Sequence, residues 1–371
     1  MPPPGGTDNR KEATMKSCRR VALILSIVAL TGGLWAGPAP AKEFKLTFSA
    51  GHPPIFLWVT LAKDFFIPEV DKRLAAAGGQ HKIVWNQAWG GTVAKLGGEL
   101  QAIEEGVSDM GFVGTIFQAP QMPLHNVSYM TPFGTDDIYA VVDTMRELMD
   151  KVPALKREWD AHKQIYLGGA ALDTYGLFTN FPVNTVDDVK GHKIAAPGPS
   201  ANWLKGTGGV AVAGNLNTYY NDIKTGVYEG TLTFMTAAAA IKVHEVAPHL
   251  CMVNFGAQYA GAVSINRDVF NGLPPEVQKV FLEVGREYAD KLAKAQADSA
   301  AKAVEAMRAG GAKVVVLSDA ERKRWADALP NVPMEWAKDM EAKGLPGKAM
   351  VQGYLDGLRK RGAKLVRDWD K

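Results

Sequence analysis

Short apolar runs of strand length alternate with longer stretches of helical spacing along most of this chain, and the alternation starts twice. Residues 44–49 alternate apolar and polar side chains, which predicts a first strand broken by Gly51-His52-Pro53-Pro54. Helical spacing follows over 55–66, then a second strand over 83–85, a helix over 95–105 stopped by Gly106, and a third strand over 110–113. An amphipathic helix over 138–149 and an extended stretch over 165–168 close this half. The pattern then begins afresh, with strands predicted over 175–179, 192–196 and 231–234 and short helices over 185–189, 201–205 and 219–225. A long helix follows over about 275–309, with Pro275 tolerated in its first turn and Gly310-Gly311 as its stop. Residues 313–317 read as a strand, Ser318 and Glu321 as a capping box, and 333–369 as more helix. Such interleaving predicts an α/β architecture with mainly parallel pairing. A length of 371 residues accommodates two domains of ~150 residues each.

The head of the chain reads differently. From Met15 it carries Lys16, Arg19 and Arg20, an apolar run over 21–30, and a small-residue stretch ending Ala39-Pro40-Ala41. A charged start, a short apolar core and an A-x-A ending predict a signal peptide over residues 1–41, cleaved after Ala41. The apolar run is shorter than the ~20 residues of a membrane span. Of 42 basic and 39 acidic residues, five and two fall in this head, so the remainder is electrically balanced and a nucleic-acid partner is not expected. Export to the periplasm leaves Cys251 as the only cysteine, so no internal disulfide is available and the fold must rest on its core. Within Leu250-Cys251-Met252-Val253 that thiol reads as a buried apolar group.

Chemical motifs are missing. Seven histidines are scattered without H-E-x-x-H or C-x-x-C spacing, so neither metal nor cofactor is predicted. There is no G-x-S-x-G elbow and no phosphate loop. Gly206, Gly208 and Gly209 follow a helix and mark its end, while Asp187 and Asp188 suit a helix N-terminus.

The stretch from Phe181 to Phe234 resembles the solute-binding subunits of tripartite ATP-independent periplasmic (TRAP) transporters, the DctP-like family. The family's D-[LMV]-K-G-x-K-[IL]-R-x-P strand is matched by Asp188-Val189-Lys190-Gly191-His192-Lys193-Ile194-Ala195-Ala196-Pro197, preceded by Pro182-Val183. Its E-x-Y-x-A-L-Q-x-G-x-[VL]-D-G segment falls on residues 218–230, with Thr218 for the glutamate and Tyr220 for the tyrosine. Leu96-Gly97-Gly98-Glu99, Gly106 through Met110, and Gly272 through Gln278 extend the similarity in the family's order.

The resemblance implies a two-lobe α/β periplasmic binding protein with a central ligand cleft, crossing strands and a long lobe-bridging helix. It implies one lobe from 42–172 with about 252–290, a second from 173–251 with about 300–371, and the helix at about 275–309 shared. It also implies capture, without chemical change, of a small-molecule ligand passed to small and large integral-membrane subunits. A binding protein of an ABC importer or sensor, or a periplasmic enzyme, would share the exported two-lobe plan.

The departures bear on the ligand. The family's arginine that forks onto a substrate carboxylate is Ala195 here, and a second basic contact falls on Tyr175. The aromatic contact maps to Leu216 or Asn215, and a late asparagine to Thr233. Without those guanidinium groups a dicarboxylate would be desolvated with poor compensation, unless Lys193, two residues away on the same strand face, supplies the charge. The expected ligand is therefore neutral, zwitterionic or weakly acidic. Candidate contacts are Ser49, His52, Trp89, Glu99 and Thr115 on the first wall and Tyr175, Ala195, Asn215 and Thr233 on the second.

Overall fold

The computed structural model describes residues 1–2 and 41–371, so the predicted signal peptide lies almost wholly outside the described residues. The strands are, in chain order, β1 (Lys42–Ser49), β2 (His81–Ala88), β3 (Met110–Val113), β4 (Gln164–Leu172), β5 (Tyr175–Thr179), β6 (Lys193–Ala195), β7 (Val210–Val212), β8 (Gly230–Phe234), β9 (His249–Met252), β10 (Gln258–Asn266) and β11 (Lys313–Val316). They form a five-stranded sheet in the order β2-β1-β3-β10-β4 and a six-stranded sheet in the order β11-β9-β5-β8-β6-β7. Each sheet is the centre of one lobe.

The predicted parallel bias is corrected by the register. β1–β3, β6–β7, β6–β8 and β9–β11 are parallel, but β10 runs antiparallel to both β3 and β4, and β5 antiparallel to both β8 and β9. The sheets are mixed because the chain crosses between the lobes and returns, so β10 enters the first sheet from the far side. β7, β9 and β10 are the strands that sequence reading misses, and β10 is the longest of them. All nine of its residues are buried, so it shows no period-two alternation.

A helix of 35 residues, Pro275–Ala309, spans both lobes. Pro275 sits in its first turn, where the missing N–H would have no intrahelical partner. Its first half buries Val277, Phe281, Val284, Tyr288 and Leu292 in the main core. Its last turns bury Ala303, Val304 and Met307 in a cluster with Phe178, Leu250 and Tyr219 of the second lobe. Between these, Gln296 is buried with its amide oxygen 2.6 Å from the Thr236 hydroxyl.

Ser318 caps the helix Asp319–Ala328 by accepting the Glu321 N–H at 3.2 Å, whereas the Glu321 carboxylate turns to the Val186 N–H and Arg324. The C-terminal segment does not stay with the second lobe. The helix Gly347–Lys360 packs on the first-lobe helix Ile138–Lys151, with Arg361 and Lys360 paired to Glu147 and the Trp369 indole donating to the Pro132 carbonyl. The apolar face of that helix (Met350, Val351, Tyr354, Leu355, Leu358) matches the face that the first-lobe helix leaves open.

Candidate functional site: the cleft between the sheets

The chain passes between the lobes at Asp173-Thr174, at residues 253–257, along the long helix and at residues 329–331. Between the two sheets lies a small, mostly apolar cavity of about 40 Å³. His52, Trp58, Phe112 and Phe117 face it from the first lobe, and Tyr175, Asn215, Leu216, Tyr219, Thr233 and Phe234 from the second. Trp58 stacks on Phe56 at 4.8 Å and meets His52 edge-on at 5.2 Å. Phe234 bridges the walls, 5.9 Å from Trp58 and 5.3 Å from Tyr175.

The lobes touch around this cavity. The Asn217 amide donates to the Gly51 carbonyl at 3.4 Å, the Trp203 indole to the Tyr129 carbonyl at 2.8 Å, and the Tyr129 and Tyr175 hydroxyls share a 2.9 Å bond. Gly198, at φ +49°, brings second-lobe backbone against Ile116; a Cβ there would sit 2.5 Å from the Ile116 carbonyl oxygen. This is a closed arrangement that only glycine fits at that contact.

Four of the nine residues singled out from sequence line the cavity: His52, Tyr175, Asn215 and Thr233. The other five do not. Ala195 is fully buried behind the second wall, where a Cβ on Gly214 would lie 2.9 Å from both Ala195 Cβ and the Tyr219 ring. Ala195 and Tyr219 thus both crowd Gly214, and a longer side chain at the fully buried position 195 would have to displace neighbours. Glu99 is buried as a loop clamp, its carboxylate accepting the Gly51 N–H at 3.0 Å and the Gly97 N–H at 2.7 Å. Trp89 packs edge-on against Phe48 at 5.1 Å, its indole N–H on Gln87. Ser49 is buried at the end of β1, against Gly111 of β3, and Thr115 is buried between cavity residues Gly114 and Ile116. Lys193 is exposed at the start of β6 and off the cavity. Trp58 and Tyr219 escaped sequence reading because aromatic residues at helical spacing read as core.

The electrostatics are unusual for so closed a site. No lysine or arginine lines the cavity. Burial pushes His52 down to about 3, so its imidazole is neutral. Two buried carboxylates stand behind the walls. Burial raises Glu99 to about 7, opposed by its backbone N–H donors, and raises Asp173 to about 7, opposed by Thr236 and Met235. Asp173 accepts the Met235 N–H at 2.7 Å and the Thr236 hydroxyl at 2.6 Å, which anchors the helix Met235–Ala240 to the first crossing. Cys251 is buried, and desolvation lifts its thiol to about 12, with Asp188 adding to the effect, so it is no nucleophile. Among the described residues no group of three or more His, Cys, Asp or Glu is placed to hold a metal ion, and no helix is long and apolar enough to cross a membrane.

A two-sheet fold with a closed interlobe cavity defines a bilobal binding protein. Residues 80–339 match the family described as bacterial extracellular solute-binding protein, family 7 (DctP), and the chain belongs to that family, whose members bind solutes rather than transform them. A solute-binding protein of Sulfitobacter sp. is 30% identical over 171 residues, 46% of this chain and 50% of the relative, so the matched region spans half of that protein's length. Among solved structures, a marine metagenome TRAP solute-binding protein specific for aromatic acids, in complex with 3-hydroxybenzoate, superposes with a TM-score of 0.77 at 18% identity, covering 87% of this chain and all of the other. A TRAP solute-binding protein of Rhodoferax ferrireducens in complex with benzoate gives 0.76 at 18% identity, covering 85% of this chain and 98% of the other.

Proposed function

We propose that this protein is the periplasmic solute-binding subunit of a TRAP-type secondary transporter. It captures a small organic solute with an aromatic or apolar body and delivers it to one small and one large membrane subunit. The observation that carries the ligand class is the cavity wall: aromatic rings from both lobes, hydroxyl and amide groups, and no cation. A dicarboxylate enclosed there would lose its hydration without a counter-charge. The benzoate and 3-hydroxybenzoate bound by structurally similar proteins match the aromatic character of this wall.

The test is thermal shift with titration calorimetry on the protein, using single-ring aromatic compounds against succinate and malate. Ligand linkage raises the melting temperature only for what the folded state binds. Single-ring compounds are expected to bind one per chain and to be recovered unchanged. Micromolar binding of succinate or malate overturns the ligand class, and a chemical product overturns the transport reading.

A further inference from the structure

Three residues that line the cavity each carry a buried polar atom without a hydrogen-bond partner: His52 Nε2, Trp58 Nε1 and the Tyr219 hydroxyl. These residues are 5%, 2% and 1% exposed. Tyr219 faces Thr231, but without a well-formed hydrogen bond. Buried polar groups are nearly always paired in folded proteins, so three orphans on residues lining one cavity, contributed by both lobes, point to an occupant. Tyr129 and Tyr175 on the same wall differ, because each spends its hydroxyl on the other.

We propose that the polar head of the ligand is an uncharged group, of the carboxamide or protonated hydroxyl kind, seated among His52, Trp58 and Tyr219. This rests on the proposed solute-binding role and names what that site selects. The indole N–H only donates, so the head must offer an acceptor. A phenol and a neutral imidazole can each donate or accept a hydrogen bond, so an amide offering both a carbonyl and an N–H can complete the set in either orientation. The charge argument is independent of the orphans. Glu99 holds Gly51, the residue before His52, and Asp173 follows the cavity residue Leu172. Buried carboxylates thus stand behind both walls with no cation on either, which disfavours a second negative charge between them. A site that leaves polar groups unpaired in the wrong complex rejects that ligand strongly.

Calorimetry at pH 7.5 with matched pairs decides this: benzamide against benzoate, and 3-hydroxybenzamide against 3-hydroxybenzoate. The amides are expected to bind at least about tenfold more tightly. Tyr219→Phe and Trp58→Phe each keep a ring in place and are expected to weaken amide binding about five- to tenfold. Tyr220→Phe, whose hydroxyl faces Glu245 on the surface, is expected to leave it unchanged. Equal or tighter binding of the carboxylates overturns the inference and leaves the solute-binding role standing. Amide binding unaffected by both cavity variants overturns the seat assigned here. Binding by no member of either pair overturns both the inference and the aromatic ligand class.

Discussion

The two walls of the cleft are built on opposite terms. The first-lobe wall is made of large rings, Trp58, Phe112 and Phe117, with the loop before it clamped by Glu99. The second wall carries Tyr175, Tyr219 and Phe234, with the small residues Ala195 and Gly214 packed beside Tyr219. The first wall contributes shape and an indole donor; the second offers phenols and no cation. The walls thus differ in their polar groups more than in their bulk: an indole and an imidazole on the first, phenols and an amide on the second.

The strongest way to break that contrast is Ala195→Arg. The new side chain would meet Gly214 and Tyr219 in a fully buried position, combining overpacking with an unpaired charge. A loss of about 4 kcal/mol or more is expected in urea denaturation. Near-wild-type stability would show that the second wall has room for the guanidinium after all.

The carboxylates behind the walls come next. Asp173 and Glu99 both bind protons more tightly when folded, with pKa values near 7 against ordinary values of 3.8 and 4.5. The folded state therefore holds more protons than the unfolded state between about pH 4 and pH 7, and stability falls as pH rises through that window, levelling above it. The drop is on the order of 2–4 kcal/mol per group. Asp173→Asn keeps an acceptor for the Met235 N–H and is expected to flatten the slope, measured as urea midpoints from pH 4 to pH 8. An unchanged slope would remove Asp173 from the account.

The smallest effect sharpens the comparison at the rim. Asn217→Ala removes the 3.4 Å bond to the Gly51 carbonyl, the polar link between the wall loops. A loss of at most ~1 kcal/mol in ligand affinity is expected, appearing as faster dissociation in stopped-flow fluorescence. A slower association with unchanged dissociation would place the bond on the entry path instead.

Much of the architecture was legible because local signals were strong. β3 at Met110–Val113, β5 at Tyr175–Thr179 and the helix Pro275–Ala309 fall where apolar run length, proline and glycine put them. β10 was not legible, since a strand buried on both faces loses its alternation. The C-terminal helices were recognisable as helices, but an amphipathic face does not name the surface it will cover. At the site, His52, Tyr175, Asn215 and Thr233 share one cavity although the chain separates them widely. Trp89 and Glu99 sit on the expected loops yet turn into local packing. Tyr219 was hidden because its role depends on the smallness of Ala195 and Gly214, a relation visible only in three dimensions.

The 35-residue helix ties these parts together. Its Tyr288 hydroxyl donates to the Trp58 carbonyl at 2.7 Å, and two turns later Gln296 meets Thr236, whose partner Asp173 guards the first crossing. One rod thus reads the position of a cavity tryptophan at one station and the posture of the hinge at the next. The two halves are therefore braced by one continuous member, and a shift of either would load the same rod.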